Sequence, residues 1–203
     1  MPEQEDLTSE WEWFRETPLE VGGTLLFARG ASPERIMLAF GMNPASARPI
    51  PASEVYEELP YADWEDSHPT DHPWIRVGMA GQWGLAINES SFGYADYEEQ
   101  AAQELSAGTE VVLFSHTQTI DTFRYLVDGD LVTQFEPLRA WDRFGTDPDR
   151  FLPQMQLAGL RTDPSQSRAR DPRIALLDML TLALAIRLPE EVALGPLLTV
   201  QRD

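Results

Sequence analysis

The chain has 203 residues, 42% of them apolar, which is enough for a real core, and it sets 15 basic side chains against 34 acidic ones for a net charge of −19. A surface of that sign repels nucleic-acid phosphates and anionic membranes, and it favours a basic protein partner or simply keeps the chain soluble. All 15 basic residues are arginine and there is no cysteine, which excludes a Schiff-base or P-loop lysine, disulfides, thiolate zinc sites and a cysteine nucleophile.

The acidic first 20 residues surround Trp11, Trp13 and Phe14, and their pattern predicts a short helix over about 8–15, favoured by carboxylates near its start. No apolar signal-type run precedes it. After Gly22-Gly23, the run 24–29 (TLLFAR) predicts a buried strand. Ser32-Pro33 then predicts a capped helix to about Phe40, with Gly41 as its stop.

Residues 42–73 are interrupted by six prolines, which leave room for only a turn or two of helix near 52–59. A connection of this length in a compact domain is functional or mobile. Residues 74–79 and 83–88 predict a hairpin about Gly81-Gln82, a pair suited to a type II′ turn. That register sets Gly78 opposite Leu85 and Ala80 opposite Trp83. A helix over about 94–105 should place Tyr94, Tyr97, Ala101 and Leu105 on one stripe, with Glu98, Glu99 and Glu104 facing away.

Three consecutive strands are expected at about 109–116, 122–127 and 130–136. The first is apolar on both faces, hence central. Asp128-Gly129 between the second and third suits a type I′ turn, pairing Leu126 with Leu131 and Tyr125 with Val132. Asp147-Pro148 predicts a helix to Gly159, kinked at Pro153; 161–171 reads as a polar loop. Asp171-Pro172 opens a helix to about Leu188, apolar nearly all round. That helix belongs to the core or to an interface with a second copy. Its apolar run is too short for a membrane span.

The sharpest polar cluster is the run from Asp63 to His72, DWEDSHPTDH. Its imidazoles and carboxylates are ligand types for divalent transition metals, but Pro69 prevents one helix from aligning His68 with His72, and no HExxH pattern is present. A solvated acidic loop is the plainer reading. Aromatic residues next to acidic ones suit a binding surface, with Tyr61 and Trp64 as anchors among Asp63, Glu65 and Asp66. Ser115, His116 and Asp121 invite a triad reading, yet neighbours on a strand point to opposite faces and no GxSxG elbow is present. His116 then reads as a strand-end histidine with an ordinary hydrogen bond. No glycine-rich nucleotide fingerprint opens a helix.

Several segments, FARGASPERIMLAFG (27–41), GQWGLAINESSFG (81–93), LSAGTEVV (105–112) and, above all, DGDLVTQFEPL with RFGTDPDRFLPQMQLAGL (128–160), together resemble a domain family of unknown function from high-GC Gram-positive actinobacteria. The resemblance spans most of 24–188, transfers no catalytic residue, and implies an actinobacterial cytoplasmic origin, in keeping with the absence of lysine.

The expected fold is α+β: residues 1–203 form a single domain with an antiparallel or mixed sheet of about six strands, helices on one face and an α-helical C-terminal third (147–203) packed on the sheet. The expected function is a non-catalytic, immunity- or antitoxin-like acidic interaction domain. It would bind a basic protein through Tyr61, Asp63, Trp64, Glu65 and Asp66, with no cofactor, nucleic acid or membrane, and with helix 172–188 available for a homodimer. The alternative is a metal-assisted hydrolase using His68, Asp71 and His72.

Overall fold

The structure, a computed structural model, describes residues 9–17, 19, 22–59, 73–89, 96–117, 119–167 and 170–202. These residues build one antiparallel sheet of nine strands, not about six. In chain order the strands are β1 (Gly23–Arg29), β2 (Arg48–Ile50), β3 (Trp74–Ala80), β4 (Trp83–Asn88), β5 (Glu110–His116), β6 (Asp121–Val127), β7 (Asp130–Phe135), β8 (Arg143–Phe144) and β9 (Leu197–Gln201). Their spatial order is β2-β9-β3-β4-β1-β5-β6-β7-β8. The expectation of an α-helical C-terminal third is therefore corrected. The last strand, β9, inserts between β2 and β3, pairing Val200 with Ile75 and Leu198 with Pro49.

Among the described residues six α-helices accompany the sheet: α1 (Pro33–Ala39), α2 (Val55–Glu58), α3 (Asp96–Leu105), α4 (Leu152–Leu157), α5 (Pro172–Leu184) and α6 (Glu190–Ala193). Strand alternation divides the core between the two faces. Leu25, Phe27, Val112 and Phe114 pack with Met155 and the α5 side chains Leu176, Leu177 and Leu180. Leu26, Ala28, Val111 and Leu113 pack with Ile36 of α1 and Ala101, Ala102 and Leu105 of α3. Helices thus cover both faces rather than one, because β1, β4 and β5 are apolar on both sides and leave neither face for water.

Local signals act as their chemistry requires. Ser32 Oγ accepts from Arg35 N and Pro33 takes the first turn of α1. Asp171 Oδ1 accepts from Arg173 N at 2.9 Å and from Ile174 N at 3.4 Å at the start of α5. Pro153 does not kink a helix beginning at 147. It sits in the first turn of α4, where its missing N–H leaves no hydrogen bond unmade. Near the N-terminus the expected helix is a 3-10 turn, Glu12–Glu16. Trp11 Nε1 donates to Thr181 Oγ1 (3.0 Å) and Trp13 Nε1 to Leu188 O (3.1 Å), which fastens this turn to α5 and the segment after it.

The β6–β7 turn has φ of 52° at Asp128 and 85° at Gly129, the two positive angles of a type I′ turn. Leu126 pairs with Leu131 as expected. Tyr125 pairs with Thr133 rather than Val132, because a bulge lies between Tyr125 and Leu126. The Leu131 and Val132 carbonyls accept from Thr146 N and Asp147 N, which engages the backbone beside the bulge. Gly129→Val is expected to destabilise the protein by about 1 kcal/mol or more, since a β-branched residue resists positive φ. The denaturation midpoint checks it; an unchanged value would contradict the turn.

Candidate functional site

Antiparallel register collects the start of β1, the end of β4, the start of β3, the end of β5 and the start of β6 at one end of the sheet. Thr24 pairs with both Asn88 and Ser115, Gly23 with His116, and His116 with Asp121. The opposite end is closed by short turns at 81–82 and 128–129. The longer connections 59–73, 89–95 and 117–120 leave from the collected end, and long connections on a rigid scaffold are where function concentrates. Among the described residues, the buried acidic, basic and histidine side chains all lie at this end: Arg76, Glu89, Glu98, His116 and Asp121.

On the face covered by α3, the sheet offers a polar row from adjacent strands, Asn88, Thr24 and Ser115. Glu98 does not face solvent as its charge suggested; it is 2% exposed. It shares an i, i+3, i+4, i+7 face with Ala101, Ala102 and Leu105, so burying those three turns Glu98 toward the sheet. Its Oε1 accepts from Asn88 Nδ2 at 2.6 Å, and its Oε2 from Thr24 Oγ1 at 2.8 Å and from Ser115 Oγ at 3.4 Å. Asn88 Nδ2 also donates to Tyr97 Oη at 2.5 Å. Burial pushes the carboxyl up to about 7, although the Thr24, Asn88 and Ser115 hydrogen bonds and the Arg124 charge pull the other way.

The opposite face holds the other four. His116 stacks on Phe114 with centroids 5.4 Å apart, and Phe14 lies at the same distance. Neither ring nitrogen has a hydrogen-bond partner, so the ordinary hydrogen bond expected there is not made. Burial, and then the Arg173 charge, push the imidazole down to about 3; it is neutral at physiological pH. Ser115 and His116 lie on opposite faces, which rules out a nucleophile–base pair between them. Asp121 is held by Arg173 through two parallel bonds, Nε to Oδ2 at 2.9 Å and Nη2 to Oδ1 at 3.0 Å. Arg76 Nη2 donates to Gly195 O at 2.8 Å. Burial lowers the Arg76 pKa and raises that of Glu89, and attraction between the two charges opposes both shifts.

The residues expected to bind a partner, Tyr61, Asp63, Trp64, Glu65 and Asp66, and the candidate metal ligands His68, Asp71 and His72 lie outside the described residues, in the connection between α2 and β3. Among the described residues no group of three or more His, Cys, Asp or Glu side chains could hold a metal ion. No helix among them is long and apolar enough to cross a membrane. Trp11 and Trp13 are buried, and Tyr56 packs edge-on against Trp74 at 5.6 Å; these aromatics belong to the packing.

Arginines outside the core are largely engaged within the chain. Arg29 pairs with Glu110, Arg48 with Glu58, Arg124 with Glu99, Arg143 with Asp149, Arg170 with Asp178 and Arg187 with Glu10. The charge left uncompensated at the surface is carboxylate. A groove of about 490 Å³ beside Trp13 shows both kinds: Glu10 and Glu12 pair with Arg187 and Arg15, while Glu190 and Glu191 add carboxylates to its lining.

Residues 6–195 match the sequence model of the Family of unknown function (DUF6461). The chain belongs to that family. The match takes in the acidic loop and most of the N-terminal segment, neither of which the recognised motifs of this DUF6461 chain include. No curated protein and no solved structure matches it.

Proposed function

We propose that this DUF6461 chain is a non-catalytic acidic interaction domain, immunity- or antitoxin-like, that binds a basic protein in the cytoplasm of an actinobacterium. The observation that carries this reading is the charge of −19 together with the intramolecular pairing of the arginines, which leaves an acidic exterior. Such an exterior speeds encounter with a basic partner and repels nucleic acid. With 34 acidic against 15 basic residues, carboxylates outnumber the arginines available to pair with them, and that excess is what a basic partner would meet. The contact residues are Asp63, Glu65 and Asp66 with Trp64 and Tyr61, a sequence that alternates aromatic anchor types with acidic side chains. The apolar side chains of α5 face this chain's own core, with Leu182 the large one left exposed.

The test is capture from host lysate at low salt, using the wild type, Trp64→Ala, and the triple variant Asp63→Asn, Glu65→Gln, Asp66→Asn. The wild type should recover a basic protein. Trp64→Ala should lose it through faster dissociation, and the triple variant through slower association. Wild-type recovery by both variants would remove this loop as the contact surface. Stoichiometric zinc, manganese or iron in protein purified without chelator, lost in His72→Ala, would instead favour the metal-assisted hydrolase built on His68, Asp71 and His72.

A further inference from the structure

Helix α3 is held on the sheet by little apolar surface. Its fully buried apolar side chains are Ala101, Ala102 and Leu105, two of them with no more than a methyl group to bury. Tyr97 adds a partly buried ring against Phe40 and a hydroxyl that accepts from Asn88, and the rest of the anchor is polar and concentrated in one residue. Glu98 reaches from α3 to three different strands, through Asn88 of β4, Thr24 of β1 and Ser115 of β5. Those partners are all neutral. The charged groups around it are few: Arg124 of β6 pairs with Glu99 at 2.7 Å, and Arg35 of α1 donates to Leu105 O at 3.4 Å. Tyr97, Glu99 and Glu104 are the other titratable side chains described on α3 itself.

We propose that Glu98 is a proton-operated latch: protonated, it closes α3 over the polar row of β1, β4 and β5, and ionised, it lets α3 lift from that row. A neutral carboxyl can stay buried among a threonine, a serine and an asparagine. A carboxylate there has lost water and gained no paired cation, because Arg124 is already held by Glu99. Lifting α3 returns the carboxylate to solvent and uncovers Asn88, Thr24 and Ser115. The sign follows from linkage. With α3 closed, Glu98 titrates near 7; with α3 lifted, it titrates at its ordinary 4.5. Lifting is therefore least favourable below pH 4.5, becomes about tenfold easier with each pH unit above it, and levels off above about pH 7, a total of roughly 300-fold.

Amide hydrogen exchange tests the latch on the full chain, with protection corrected for the intrinsic pH dependence of exchange. Protection of the α3 amides should fall roughly 40-fold from about pH 5 to about pH 7 and level by about pH 8, and it should lie below that of the β1 and β5 amides throughout. Glu98→Gln keeps the shape and the neutral charge of the closed form, so its α3 protection should stay flat. Ser115→Ala removes a donor to the ionised carboxyl, so the levelling should move to higher pH, a shift that a merely structural role for Glu98 would not produce. An α3 profile in Glu98→Gln as steep as in the wild type would overturn the proposal. So would α3 and β-strand amides exchanging with equal free energy at every pH, because α3 would then open only with the whole fold.

Discussion

His116→Phe is expected to become more stable relative to wild type by about 2 kcal/mol as the pH falls from about 6.5 to about 5. The imidazole is 1% exposed and lies between Phe14 and Phe114. Its folded pKa is depressed from 6.5 to about 3, so the unfolded chain takes up a proton that the folded chain refuses. The stability this protects is fully present above pH 6.5 and is lost as the pH falls toward 3. Phenylalanine cannot take up the proton, and it replaces two unpaired ring nitrogens with apolar edge. Glu98 behaves in the opposite sense. Its folded pKa is raised from 4.5 to about 7, so stability is fully present below pH 4.5 and is lost as the pH rises toward 7. Between about pH 5 and about pH 6.5 the two slopes oppose each other, and removing either group unmasks the other. Glu98→Gln should therefore lose about 2 kcal/mol relative to wild type over the same acidification. Denaturant unfolding at several pH values reads both. A stability difference between His116→Phe and wild type that did not change with pH would contradict the burial of a neutral imidazole.

Leu180→Ala is expected to cost roughly 2–5 kcal/mol. Leu180 is fully buried on α5, in the same core as Phe114 and Leu176, and truncation leaves a cavity that packed neighbours fill only in part. Leu182, two residues on, is 54% exposed; Leu182→Ala should change stability by no more than about 0.5 kcal/mol. Chemical denaturation of the pair is the check. An unchanged midpoint for Leu180→Ala would mean that α5 is not part of the core.

Features fixed by neighbouring residues were legible in the sequence. The glycine at 129, the caps Ser32 and Asp171, and the Gly81-Gln82 hairpin with Ala80 opposite Trp83 all follow from local chemistry. The outer sheet did not. Strand β2 is three residues containing Pro49, β8 is two residues, and β9 lies within a chain segment that also forms α6. Each is a strand because a distant edge needs a partner, and no local pattern encodes that. At the site, the stripe drawn through Tyr97, Ala101 and Leu105 was too narrow. The spacing Glu98–Ala101–Ala102–Leu105 was available, but a glutamate counts as polar until the sheet opposite is seen to offer hydroxyls and an amide. The His116 environment depends on Phe14, far away in sequence, and could not be read from the strand alone.

That the acidic exterior recognises a basic protein is tested most directly by the association rate of the captured partner as salt is raised. The rate should fall steeply with ionic strength while dissociation changes little, and the partner should carry excess arginine or lysine. An association rate indifferent to salt, an acidic partner, or no partner recovered at low salt would contradict it.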